Sequence, residues 1–319
     1  MHPIKKCLMV AAAAALGLAV VGSARADTFA SAILDINNFR LLHSNGTAFS
    51  TSNFAALQGT NDAHATAALN GVFSNGSSSL GILAGAPDVA RQCVGTPCFP
   101  LPSNNFTPFA SPPPAPGNFG YADQRLQGSS ISINGAPAGA HAQTRADAAT
   151  QMNMQDASGN SDVGTSTTFR FALGASDTMT VAFNATPYTQ AWVSAGAGQS
   201  SNANARLSWS INIVNLSTGL SVFSFAPAEL NGLSVVSRTD AAPGTTSYNA
   251  ALTTFSFSQV TPLLTAGTTY QITIQHNTLA NARQQEVPEP GTLAIVAAGL
   301  LGMRLASRRS LICHKALAG

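Results

Sequence analysis

Alternation is the strongest pattern in the chain. In the segment Thr167 to Leu173, the residues Phe169, Phe171 and Leu173 share one face, and Met179, Val181 and Phe183 repeat the arrangement soon after. Leu207, Trp209, Ile211 and Ile213 continue it, as do the segments 220–225, 254–258 and 269–274. Successive side chains of a strand point to opposite faces, so each segment predicts a half-buried strand, with Gly, Asn, Asp and Pro marking the turns between them. The outward positions carry Ser, Thr, Gln and Asn rather than Lys and Glu. The prediction is an all-β fold, an antiparallel β-sandwich of jelly-roll type with its core over about residues 125–285.

Upstream the pattern weakens. Phe29 to Leu42 carries Ile33, Leu34, Ile36, Phe39 and Leu41, which predicts an edge or pairing strand of the same sandwich. Residues 43–90 are rich in Ala, Asn, Ser and Gly and fit strands or loops equally. Residues 87–116 hold nine of the 17 prolines, including Pro112, Pro113 and Pro114. Proline removes a ladder donor, so a central strand is excluded there. A long surface insertion is expected; a polyproline ligand is the alternative, but no basic anchor stands beside the prolines.

The two ends follow other rules. Residues 1–26 start with Lys5 and Lys6, continue through an uncharged Ala/Leu/Val-rich run from Leu8 to Val21, and close on Ala24-Arg25-Ala26. That order predicts a secretory signal peptide cut after Ala26, with Ala24 and Ala26 as the small residues a signal peptidase reads. Cleavage commits residues 27–286 to an oxidising compartment. At the other end, Val287-Pro288-Glu289-Pro290-Gly291 precedes an apolar stretch from Thr292 to Met303, and Arg304, Arg308 and Arg309 follow. Pro288 and Pro290 hold the residues before them extended, and Pro290 suits the first turn of a helix. Counted from Gly291 to Ser307, that helix is about 25 Å long, enough for a short transmembrane span if Arg304 snorkels to the interface. The arginines place its far end, with the tail 310–319, on the cytoplasmic side.

Charge sharpens this division. The chain has 15 Lys and Arg against 13 Asp and Glu, a net +2. By segment the charge is +3 for 1–26, −4 for 27–287 and +3 beyond, and the middle segment has no lysine. A nucleic-acid partner is excluded for the body, because it needs clustered Lys and Arg. With 45% hydrophobic residues and little charge, ordinary disorder is excluded as well.

The signal peptide, the Pro-Glu-Pro tripeptide, the short apolar helix and the arginine cluster together resemble the PEP-CTERM sorting signal of Gram-negative bacteria. The resemblance covers about residues 287–309. It implies processing by an exosortase, a membrane-embedded enzyme with a cysteine nucleophile, which recognises Pro288, Glu289 and Pro290 and cuts near them. It also implies export through the inner membrane, transient anchoring, and final residence at the cell surface or outside the cell, often alongside exopolysaccharide. The ten residues after Arg309 depart from the usual end of the signal at its arginines.

Candidate chemistry in the body is sparse. Cys93 and Cys98 stand five apart in a secreted, turn-rich region, which favours a local disulfide over metal binding or redox catalysis. Asp156, Asn160 and Asp162 place oxygen side chains at alternate positions, as a calcium loop does, but Ser161 and Thr167 occupy the places of its glycine and its bidentate glutamate. A polar hairpin turn explains those residues equally. No Gly-x-Ser-x-Gly elbow and no phosphate or dinucleotide glycine motif occurs, so neither cofactor nor resident metal is expected. A Ser-His-Asp set stays open, since triads are defined by geometry. Trp192, Trp209, Tyr188 and Tyr121 suggest a sugar-stacking platform, although Trp209 alternates with core positions. The expectation is a non-enzymatic exported surface or matrix protein. Its alternatives are a sandwich that binds exopolysaccharide or, further off, a secreted hydrolase.

Overall fold

The alternating segments form strands, and there are more of them than the pattern alone suggested. A computed structural model describes residues 27–286, apart from 97, 99–101, 111–116, 153, 164–166, 196–198 and 239–242, and beyond them only Gly299. The expected signal peptide with Ala24 and Ala26, the sorting residues Pro288, Glu289 and Pro290, and the tail 310–319 lie outside the described residues. So, Gly299 apart, does the expected transmembrane helix. Among the described residues no helix is long and apolar enough to cross a membrane.

In chain order the strands are β1 (Thr28–Leu42), β2 (Phe54–Leu69), β3 (Val72–Gly81), β4 (Asp88–Thr96), β5 (Asn118–Gln127), β6 (Ala140–Thr150), β7 (Gln155–Val163) and β8 (Thr167–Leu173). They continue as β9 (Thr180–Val193), β10 (Gln199–Asn215), β11 (Leu220–Phe225), β12 (Leu233–Arg238), β13 (Gly244–Tyr248), β14 (Phe255–Val260) and β15 (Thr269–Glu286). One sheet has seven strands in the order β13-β9-β1-β6-β5-β4, with β14 also on β9. The other has eight, β11-β10-β15-β7-β2-β3, with β12 beside β10 and β8 between β15 and β2. Every strand pairing is antiparallel, and the sheets pack face to face.

Two expectations are refined. Of the edge or pairing strand expected over Phe29 to Leu42, β1 is the pairing strand: it lies between β6 and β9 in the middle of its sheet. It is buried on both faces near its start, which is why its sequence runs apolar without clean alternation. The sandwich also begins well before residue 125, because the Ala-rich region supplies β2 and β3, and part of the Pro-rich region supplies β4. Alanine there is core: Ala63, Ala65 and Ala67 are fully buried. β4 obeys the proline rule by being the edge strand of its sheet.

The core is graded along the strands. Inward residues of β10 read Ala203, Ala205, Leu207, Trp209, Ile211, Ile213, and antiparallel β15 matches them with Ala282, Ala280, Thr278, His276, Ile274, Ile272. β1 repeats the gradient with Ala30, Ala32, Leu34 and Ile36. Small residues let the two sheets approach where β1 begins and β15 ends. Large ones hold them apart at the opposite end, where Phe39, Phe183 and Trp209 meet with ring centroids 4.8–6.4 Å apart. The narrow side comes to backbone contact. A Cβ on Gly159 would lie 2.0 Å from the Tyr121 carbonyl oxygen, and one on Gly120 2.2 Å from that of Ser158. The molecule is a wedge, and both ends of the folded chain, Asp27 and Glu286, sit at its thin end.

Candidate functional site

The outer face of the seven-stranded sheet carries the densest chemistry. Tyr121 and Asp123 alternate on β5, Arg145 and Asp147 on β6, and Ser31 on β1 faces Asp147 in register. All five are buried, although they point away from the inter-sheet core. The chain that covers them is the Pro-rich segment, folded back over the sheet. Arg145 Nη1 donates to the carbonyl oxygens of Asn105 (2.8 Å) and Thr107 (2.9 Å), and its guanidinium lies 4.9 Å from the Phe109 ring centre. Asn104 N–H donates to Asp123 Oδ2 at 2.6 Å, and the Tyr121 hydroxyl lies 2.9 Å from that oxygen and 3.1 Å from the Pro102 carbonyl oxygen. Arg145 Nε closes the cluster on Asp147 Oδ2 at 2.5 Å.

Burial pushes the Asp123 carboxyl above its usual range, against the hydrogen bonds it accepts, and pushes the Tyr121 hydroxyl far above its own. These are perturbed groups of the kind active sites contain. Here they are spent on holding the loop, since no substrate reaches a side chain with no exposed surface. Beside them Cys93 and Cys98 form the expected disulfide and pack, with Phe109 and Trp192, against Phe29, Phe119 and Tyr121. The described part of the Pro-rich segment is therefore a cover for one sheet, anchored by polar contacts that its prolines did not advertise.

Three histidines pair with aspartates near the surface. His43 Nδ1 lies 2.7 Å from Asp177 Oδ2, His64 Nδ1 2.8 Å from Asp162 Oδ1, and His141 Nε2 2.8 Å from Asp35 Oδ1. Burial raises the Asp177 carboxyl, but hydrogen bonds from His43, Ser44 and the Thr178 N–H outweigh it and leave the group below its ordinary value. The His64 pair comes nearest to a catalytic set, because strand register puts Ser77, His64 and Asp162 in one row across β3, β2 and β7. Nδ1 toward the acid is the triad arrangement. Yet no hydrogen bond joins Ser77 to His64, and the row lies on an open sheet face.

The fourth body histidine is internal. His276, 2% exposed, donates from Nε2 to the Leu34 carbonyl oxygen at 3.2 Å, and burial holds its pKa down to about 4. It borders a cavity of about 70 Å3 between the sheets, shared with Phe39, Leu126, Val163, Phe169 and Trp209. The lining is mainly apolar, and the space falls where the thin part of the wedge gives way to the thick.

Other sequence candidates fare differently. Asp156, Asn160 and Asp162 stand on β7, in neither a calcium loop nor a hairpin turn. Their alternation is that of a strand face, and Asp156 and Asp162 are separated by about 20 Å of strand, too far to share one ion. Each has a protein neighbour: Asp162 has His64, Asn160 accepts from Asn277 at 2.7 Å, and Asp156 lies 4.0 Å from Arg283. Among the described residues no group of three His, Cys, Asp or Glu is placed to hold a metal. The aromatic platform is also overturned, because Trp209, Tyr121 and Tyr188 are 1%, 0% and 5% exposed. The cluster of Tyr121, Asp123, Arg145 and Asp147 beneath the cover was missed from sequence. Its one signal was Arg145-Ala146-Asp147, two opposite charges at strand spacing in an otherwise Ala-rich run.

The sorting signal begins where the fold stops. β15 ends at Glu286, and residues 286–310 match the family described as the PEP-CTERM protein-sorting motif. No curated protein matches the chain. The chain thus carries a sorting signal of the exosortase-substrate type, attached directly to the last strand of the sandwich.

Proposed function

We propose that this is a non-enzymatic exported protein whose β-sandwich is delivered to the cell surface or the extracellular matrix after an exosortase-type membrane enzyme acts at Pro288-Glu289-Pro290. The observation that carries the reading is the abutment of the motif on Glu286. Every strand among the described residues ends at or before Glu286, so cutting near Glu289 removes none of them. A body with no lysine and net charge −4 adds to the picture of an inert surface. Glu289→Ala is expected to leave the full-length chain in the inner membrane, read by fractionation and immunoblotting. Unaltered release would refute the sorting step.

One observation favours a second reading, in which the sandwich contacts exopolysaccharide. The outer face of the eight-stranded sheet is built from Ser, Thr, Asn and Gln in cross-strand rows, such as Asn277 on Asn160 (2.7 Å) and Ser210 on Gln275 (3.2 Å). With Trp209, Tyr121 and Tyr188 buried, sugar contact along those rows rests on amides and hydroxyls. Retention of the released body on a polysaccharide resin tests this, and passage without delay leaves the structural role.

A further inference from the structure

The thin end of the wedge carries exposed apolar side chains on two adjoining segments. The hairpin between β2 and β3 presents Val72 and Phe73 there, 61% and 64% exposed. The link between β6 and β7 presents Met152 and Met154, 48% and 78% exposed. The two segments are tied together, since Asn70 N–H donates to the Asp156 carbonyl oxygen (2.8 Å) and Asp156 N–H to Asn70 Oδ1 (3.0 Å). Asn70 adopts φ +51° to make this turn. Four large apolar side chains of this exposure on two neighbouring loops are not core, and they are unlike the Ser and Asn faces beside them.

The same end holds the exit of the chain. Gln284 on β15 pairs with Gln155 at the start of β7, so Glu286 leaves the fold next to the link that carries Met152 and Met154. The apolar stretch from Thr292 to Met303 begins six residues later, a reach of at most about 20 Å for extended chain. A body tethered that closely to a membrane-inserted segment must face the bilayer with this end.

We infer that Val72, Phe73, Met152 and Met154 form a docking surface for a phospholipid bilayer, which holds the sandwich upright on the membrane until the sorting signal is processed. The inference rests on the anchored stage of the function proposed above. Unbranched Met and the Phe ring suit the disordered boundary between headgroups and acyl chains, where an apolar face buries about 5–10 Å deep. Asp27, Asp156 and Glu286 accompany Arg283 at this end, so the contact is apolar and persists at high salt. Once the tether is cut, four side chains without a covalent anchor hold weakly, and the body is free to leave.

The test uses the full chain reconstituted into phosphatidylcholine vesicles with brominated acyl chains, which quench tryptophan on contact. Phe73→Trp places a probe in the patch, and Leu220→Trp places one on the β10–β11 hairpin at the thick end; both sites are exposed, so neither change threatens the core. Emission above that of the parent chain is expected to fall by about half or more at position 73, as an interfacial depth requires, and to stay unchanged at position 220. Met154→Trp should behave like Phe73→Trp. Equal emission at both ends overturns the docking surface. Carbonate extraction of the same vesicles separates the two proposals. A chain that stays in the pellet with residue 73 unquenched refutes docking and leaves anchoring intact, whereas a chain that is extracted refutes the anchored stage and docking with it.

Discussion

Arg145 and Asp147 lie two residues apart on one face of β6, both fully buried, with Nε 2.5 Å from Oδ2. The pair joins two parts of the molecule that sequence places far apart. It belongs to a central strand, yet Arg145 Nη1 donates to the carbonyls of both Asn105 and Thr107 in the Pro-rich cover, while Nη2 is buried without a partner.

Removing one partner strands the other charge. Asp147→Ala is expected to lower unfolding free energy by about 3–5 kcal/mol, measured by urea denaturation. The double substitution Arg145→Met with Asp147→Leu should cost less than the two single changes added together, because no lone charge stays buried. Additive losses would show that the pair is not coupled.

The thin end of the wedge tolerates no side chain at its closest point. Gly159→Ala puts a Cβ against the Tyr121 carbonyl oxygen, and backbone cannot yield as a flexible side chain does. A loss of about 1–3 kcal/mol or more is expected in thermal or chemical unfolding. Gly174→Ala, whose Cβ would sit 3.5 Å from its nearest neighbour, is the control and should change little.

His276 makes stability depend on pH. The folded protein holds it neutral, with a pKa of about 4, whereas an unfolded histidine titrates near 6.5. Between those values the unfolded chain binds the extra proton. Stability from this residue is thus complete above about pH 6.5 and falls as pH drops toward 4, by on the order of 3 kcal/mol. Asp123 acts in the opposite sense, since burial makes its folded carboxyl keep a proton longer. Denaturation curves at pH 7 and pH 4.5 should show His276→Gln with a smaller loss than the parent. An equal loss in both would assign the slope elsewhere.

The disulfide closes a short loop beside the cover. Replacing Cys93 and Cys98 by Ser is expected to cost about 2 kcal/mol at most, the closure entropy of so small a ring. Intact mass should rise by two hydrogen atoms on reduction of the parent and stay constant in the variant.

Much of this protein was legible before any tertiary contact was known. Period-two alternation around Phe169, Val181, Leu207 and Ile272 identified strands because each buries one face, and local pattern is sufficient for that. The Pro-Glu-Pro motif with its apolar and basic flanks identified the sorting signal, because a signal read by another enzyme must be readable without a fold. The Cys93–Cys98 bond followed from spacing and compartment alone.

Tertiary structure decided the rest. Alanine and glycine carry no periodic hydrophobic signal, so only the meeting of the sheets reveals that Ala63, Ala205 and Gly159 are core, and that their smallness makes the wedge. The oxygen pattern of Asp156, Asn160 and Asp162 is the same string in a loop or on a strand, and only pairing with β2 and β15 selects the strand. The cover over Arg145 depends on contacts some forty residues apart, which no local rule encodes. Sequence determined that the alternating segments are strands and that the chain carries a sorting signal; folding determined which faces are hidden, because burial is a property of two surfaces together.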